Sequence, residues 1–354
     1  MAITLAPAHP SGSSTIPPTP TRHPLAYRVV GAGILLILLA FTLVFSLMVG
    51  ARAVSAGEVW QFLLKPDSAD PISQVVWQSR VPRTVLILVA GAAFGVAGGL
   101  MQAVTRNPLT DPGILGVNAG ASLAVVVGIA YFGITEINRY MWLAFSGAVV
   151  TSLAVFLIGN TGPMRGNPIR MTLSGVAIGA VLGGFTSAVL LTNADVLKKM
   201  RGWSAGTTAN QALENTLSIA PFIMFGLMLA LALTKSLDVL ALGDAAAVGM
   251  GANPNRVRLI ALLAIALLAG GATAAAGPIS FLGLLAPHLS RMIVGPHQGW
   301  IMIYSILLAP TIMGCADVLG RIIVQGEMPV GVVTPFIGAP LLIVLARRLR
   351  VAEL

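Results

Sequence analysis

Ten apolar runs dominate this 354-residue chain, each long enough, or nearly so, to cross a bilayer as a helix. They fall at about residues 29–50, 82–104, 113–132, 140–159, 171–192, 217–236, 258–276, 279–294, 300–321 and 330–346. A spanning helix needs ~20 apolar residues, since each adds only ~1.5 Å along the axis. Charged residues make up 9 % of the chain and hydrophobic residues 56 %. So few charges could not coat a soluble fold of this size, and so much apolar surface excludes disorder over the body of the chain. The runs are long and unalternating, which excludes a porin-type barrel. The fold class is therefore an all-α polytopic membrane protein. The 39 Gly and 22 Pro suit close-packed and broken helices in lipid. The eighth run is short and broken by Pro287, and the ninth contains Pro310; both suit backbone packed inside protein or lining a cavity.

Residues 1–28 are rich in Pro, Ser and Thr and read as a disordered tail, leaving 29–354 as one transmembrane domain. The first apolar run starts too late and is too long for a signal peptide. An even number of spans puts both ends on one side, and Arg347, Arg348 and Arg350 make that side cytoplasmic by the positive-inside rule. Twelve Lys/Arg then lie inside: Arg22, Arg28, Arg106, Arg165, Arg170, Lys235, Arg256, Arg258, Arg291 and the terminal three. Nine lie outside, namely Arg52, Lys65, Arg80, Arg83, Arg139, Lys198, Lys199, Arg201 and Arg321. That bias is weak, and the outer charges gather next to helix ends, so the outer face has a use for them. One cysteine, Cys315, excludes an internal disulfide and a cysteine-based zinc site. The four His are too scattered for paired haem ligation. Gly91, Gly95 and Gly99 repeat every four residues, as do Gly175, Gly179 and Gly183, and both ladders read as close helix packing.

The longest inner polar stretch runs from Asp238 to Arg258. Within it, Gly243 and Gly251 flank a short Ala-rich helix, with Asp244 at its start as N-cap and dipole partner. None of the four Lys follows a Gly, so the chain has no Walker-type phosphate loop and is no ATPase of that kind. Neither an HExxH sequence nor a serine nucleophile with a partner His is evident, which removes the intramembrane proteases.

Five strings carry a resemblance. They are SRVPRTVLILVAGAAFGVAGGLMQAVTRNPLTDPGILGVNAGAS (Ser79 to Ser122), RGWSAG (Arg201 to Gly206), LGDAAAVGMG (Leu242 to Gly251), GPISFLGLLAPHLSR (Gly277 to Arg291) and ADVLGRIIVQGEMPVGVVTPFIGAPLLIVLARR (Ala316 to Arg348). In this order they resemble the permease subunit of ABC importers for iron-siderophores, haem and cobalamin (the FecCD type), and are most similar to ferric-enterobactin-type permeases. The resemblance implies ten helices per subunit in the type II importer architecture. It implies a second permease subunit, identical or paralogous, two cytoplasmic ATPase subunits that hold the ATP and Mg, and an extracytoplasmic siderophore-binding protein. It implies no cofactor or metal in this chain and no nucleic-acid partner.

The same resemblance assigns roles. Arg80, Arg83 and Arg321 match positions where the binding protein docks through its carboxylates, a task suited to the guanidinium fork. The competing reading is lipid anchoring for the first two and neutralisation by Asp317 for the third. Gly243, Asp244, Ala245, Ala247, Gly249 and Gly251 match the segment that seats in the ATPase. Gly331, Val332 and Thr334 fall near the translocation path. Lys198, Lys199 and Arg201 form an outer basic cluster that could attract an anionic ferric catecholate or simply be solvated. Arg106 and Asp111 flank a turn and could pair, while His288 is expected to bridge helices by a hydrogen bond. An ion-coupled secondary transporter is the alternative from another class. It would need ionisable groups deep in the membrane, where Asp317 stands with Arg321 beside it.

Overall fold

A computed structural model of the chain describes residues 24–50, 54–159, 161, 168–324 and 326–352. The expected disordered tail lies outside the described residues up to His23, as do Arg22, Arg52, Arg165 and the side chains of Arg347, Arg348 and Arg350. In chain order the helices are α1 (Leu25–Met48), α2 (Ala56–Leu64), α3 (Pro71–Val75), α4 (Val81–Thr105), α5 (Val117–Phe132), α6 (Ile137–Gly159), α7 (Pro168–Thr192), α8 (Ala194–Ser204), α9 (Leu213–Ala232), α10 (Thr234–Ala241), α11 (Asp244–Gly249), α12 (Pro254–Ala276), α13 (Leu282–Val294), α14 (Gln298–Ile323) and α15 (Val330–Ala352). No β-strand occurs among the described residues. Seven helical rods among them are long and apolar enough to cross a membrane. With the shorter apolar helices α5, α13 and α15 they account for all ten expected runs.

The central rod starts earlier than its apolar run. Asp70 accepts from the Ile72 backbone N–H at 2.7 Å and Pro71 takes the first helical position, so α3 begins at Pro71. Pro82 has no N–H to offer the preceding turn. The chain widens there into a π turn, Val76–Arg80, and continues as α4. Arg80 is consequently inside the rod rather than at its tip.

In the most apolar 18-residue stretches of the rod Pro71–Thr105 and of α12, 78 % of the residues are buried, and these two form the centre, with 72 % in the matching stretch of α14 beside them. Gly91 and Gly95 make this possible: a Cβ on Gly91 would stand 2.6 Å from the Pro310 Cα, and one on Gly95 would meet Ala309 and Ser305. The first glycine ladder thus packs α4 on α14. The second does not behave as expected. Gly175 packs on the Ile114 carbonyl, but Gly179 and Gly183 face open space, and α7 is only 6 % buried.

The break in the eighth run lies upstream of Pro287, which sits within α13. Gly277 (φ 78°) and Phe281 (φ 68°) turn the chain, and α13 starts only at Leu282. Pro287 is tolerated because the carbonyl it leaves unbonded, that of Gly283, faces Gly98, where the absent Cβ leaves room. Protein covers most of the non-helical stretch: Gly277 and Ile279 are buried, and Thr207 donates to the Ala276 carbonyl at its start at 2.8 Å. Irregular backbone at membrane depth requires such enclosure.

Candidate functional site

Polar groups collect at the two ends of α4. At its first turn Arg83 is buried, and its Nη2 donates to Asp317 Oδ1 at 2.8 Å. Its Nε bridges both Asp317 oxygens at 3.0 and 3.1 Å, and its Nη1 donates to Glu327 at 2.6 Å. Asp317 is fully buried in α14 and also accepts from Thr208 and, one turn on, from Arg321, with Arg321 Nε at 2.9 Å. Arg321 Nη1 donates to the carbonyls of Ser46 and Val49, at 2.8 and 2.7 Å, and its Nη2 to the Ser46 hydroxyl at 2.8 Å. Arg80 donates to the carbonyls of Leu47 and Met48, at 2.5 and 2.9 Å. Two guanidiniums therefore satisfy the carbonyls that the C-terminus of α1 leaves open.

The three arginines matched to a docking role are each engaged by atoms of this chain. The neutralisation of Arg321 by Asp317 is present, and Asp317 serves Arg83 as well. Access from outside is through two cavities that share Ser79, Arg83 and Glu327 in their walls. One, of about 350 Å³, continues past Thr207, Asn210 and Pro329. The other, of about 170 Å³, reaches Arg80 and Arg321. Glu327, in the left-handed region at φ 60°, is the half-exposed partner of Arg83.

At the other end of α4, Arg106 closes the helix in the left-handed conformation (φ 53°) and pairs with Asp244. Arg258, buried in the first turns of α12, donates to both Asp244 oxygens at 2.8 and 2.9 Å. The expected Arg106–Asp111 pair does not form: Asp111 instead accepts from the Gly113 N–H at 2.8 Å and holds the turn into α5. Asp244 is not the N-cap either. Gly243 takes that position at φ 108°, and the carboxylate of Asp244, now the first helical residue, is released toward the two arginines. Burial alone would push the Asp244 carboxyl up, but hydrogen bonds and charge from Arg258 and Arg106 outweigh it and hold it below the ordinary aspartate range.

The short helix between Gly243 and Gly251 is present as α11. Ala247 is its one buried residue, so Ala247 packs inward and cannot be a contact for a partner. Leu242, Val248 and Met250 stand 68, 61 and 54 % exposed around it. At the Arg83 end, Lys198, Lys199 and Arg201 lie exposed on α8, whose other face buries Val196, Met200 and Trp203. Gly331 is pressed against Gly206, Val332 is 37 % exposed and Thr334 is buried with its hydroxyl unpaired among the described residues. His288 is buried in α13; its Nδ1 has no partner among them, so the expected helix bridge is not made from that nitrogen.

Sequence reasoning passed over Arg106 and Arg258 as partners of Asp244, and Thr208 and Glu327 as members of the other cluster. Their partners lie 138, 14, 109 and 244 residues away in the chain, and no local motif signals such pairs.

Comparison with known proteins agrees with this architecture. The model of the FecCD transport family matches residues 37–348. The ferric enterobactin transport system permease protein FepD of Escherichia coli (strain K12) is 44 % identical over 322 residues, covering 91 % of this chain and 96 % of that protein. The Fe(3+)-citrate import system permease protein YfmD of Bacillus subtilis (strain 168) is 38 % identical over 319 residues, or 89 and 93 % of the two chains. An inward-facing metal-chelate type ABC transporter superposes with a TM-score of 0.78 at 25 % identity, covering 90 % of this chain and 99 % of its own. The fold is that of a type II ABC importer permease, and the chain belongs to the FecCD transport family.

Proposed function

We propose that this chain is the permease subunit of an ATP-driven importer of ferric siderophore, with a separate ATPase below and a cargo-delivering binding protein above. In this reading the Asp244 end faces the cytoplasm. The observation that carries it is α11: a helical turn at the end of the bundle, exposed on every residue but Ala247 and fastened to the two most buried rods. An exposed, anchored element of this kind suits a groove on a motor subunit. The identity to an enterobactin permease supports an iron-chelate cargo. Haem and cobalamin remain the alternatives within the family.

The second permease subunit, identical or paralogous, covers α7, where Gly179 and Gly183 face open space. Val332 then lies toward the path between subunits. The basic stripe of α8 attracts the anionic cargo or its carrier. A carboxylate of the binding protein enters the paired cavities and competes with Glu327 for Arg83, the neighbouring arginines lying in the same wall. The ion-coupled reading is disfavoured because Asp317 is clasped by two arginines inside the protein.

The test is reconstitution. Proteoliposomes holding the permease, ATPase and binding protein should take up a ferric catecholate when ATP is supplied, and collapsing the proton gradient should not stop them. Val248→Cys should cross-link to the ATPase. Accumulation by the chain alone would sink the proposal.

A further inference from the structure

The attachment of α11 to the bundle is thin apart from one carboxylate. Its residues bury only Ala247. Both flanks are glycines in the left-handed half of conformational space, Gly243 at φ 108° and Gly251 at φ 81°, with open space where a Cβ would be. Such joints hinge easily. Against this stands Asp244, which accepts from Arg258 of α12 and from Arg106 at the end of α4. The Arg258 side chain is only 9 % exposed, so its charge needs a fixed anion; among the described residues its Nε has no partner, and Asp244 is the carboxylate its Nη2 reaches. Charge-assisted bonds of this kind are the strong and directional ones.

We propose that Asp244 is the positioning residue that turns α11 from a hinged loop into a lever, locking it to α4 and α12. The inference rests on the reading of α11 as the ATPase contact. Movement imposed on α11 then passes through Asp244 to the ends of the two most buried helices. From Arg106 the rigid rod of α4 runs roughly 35 Å to Arg83, at ~1.5 Å per residue. There it meets the cluster that holds α14 and the approach to α15. One rod thus joins the inner lever to the outer cavities. With the clamp open, the motor would still press on α11, but the glycine hinges would absorb the stroke.

The experiment measures siderophore transported per ATP hydrolysed in the full reconstituted complex. Asp244→Asn keeps the shape and removes the charge, and is expected to lower that ratio at least tenfold. Arg106→Gln, which removes only the exposed arm, should lower it about threefold. The exchanged pair Asp244→Arg with Arg258→Asp should recover part of the loss, which a residue needed only for folding would not show. If Asp244→Asn fails to assemble, the Arg106→Gln ratio decides. A ratio within twofold of the wild type in Asp244→Asn, or in Arg106→Gln when the first does not assemble, overturns the proposal. Val248→Cys cross-linking to the ATPase is measured on the same complexes. A cross-link with an unchanged ratio defeats the lever alone, whereas no cross-link in the wild-type background defeats the ATPase reading beneath it.

Discussion

Replacing Asp317 by Asn tests whether the outer cluster holds the bundle together. The carboxylate is completely buried and takes hydrogen bonds from Arg83, Arg321 and Thr208. Asparagine keeps the volume but removes the charge, and its amide presents donors to guanidiniums that are donors themselves. Removing one partner of a buried ion pair costs about 3–5 kcal/mol, because the other charge stays buried and uncompensated. Two arginines lose an anion here, but the loss does not double. Arg83 keeps Glu327 at 2.6 Å, and Arg321 keeps the carbonyls of Ser46 and Val49. The expected cost is therefore that of one broken pair, about 4 kcal/mol. Reversible unfolding in mixed detergent–SDS micelles measures it. The sharper readout is the pair Asp317→Asn with Arg321→Met, which restores charge balance and should be more stable than Asp317→Asn alone. Neighbouring residues in one network couple by about 0.5–3 kcal/mol, well within reach of a double-mutant cycle. A loss below about 1 kcal/mol, the level of a surface pair, would refute the reasoning, as would strict additivity of the two substitutions.

Three further outcomes follow from particular contacts. Gly91→Ala would force α4 off Pro310 and should cost about 1–3 kcal/mol in the same assay, whereas Gly179→Ala should leave the isolated chain unchanged and weaken only its pairing with a second permease subunit. Glu327→Gln removes the half-exposed competitor for Arg83 and should tighten binding-protein docking in nanodiscs; weaker docking would mean Glu327 is a docking group itself. Because Asp244 is held below the ordinary aspartate range, its clamp contributes above the unfolded-state value and is lost as pH falls through the lower folded value. Spin labels on Val248 and on the end of α4 should keep one narrow distance from neutral to mildly acidic pH and broaden only in strong acid; broadening near neutrality would contradict this.

The spans were legible because hydropathy alone decides them: a run of ~20 apolar residues has no other use in a chain with so few charges. The short helix α11 was legible for a different reason, since Gly243 and Gly251 mark both ends of an Ala-rich turn. The amphipathic helices α2 and α8 escaped notice because only one face of each is apolar, with buried Val59 and Phe62 in the first and Val196, Met200 and Trp203 in the second. Pro287 misled because a proline breaks a helix only where its neighbours cannot accommodate the freed carbonyl, and Gly98 on another helix does so here. Both glycine ladders looked alike in sequence. Only the partner helix distinguishes a packed ladder from a bare one, and Gly179 and Gly183 meet no partner among the described residues.

The charged clusters show why site residues are harder to read than spans. Arg83 and Arg321 invite an outward role, because a charge at a helix end ordinarily seeks water or a partner protein. Asp317 adds a demand that no local motif signals: a carboxylate fully buried on α14 can be tolerated only if cations come to it, and the arginines at the starts and ends of neighbouring helices are the ones in reach. The same logic runs at the opposite end, where the buried guanidinium of Arg258 draws Asp244 inward and the remaining lone pairs collect Arg106. In each cluster one buried charge dictates the rest. Each keeps a half-exposed carboxylate, Glu327 in the first cluster and Asp244 in the second. Under the proposed function, those two carboxylates are where a binding protein would compete for one network and an ATPase would pull on the other.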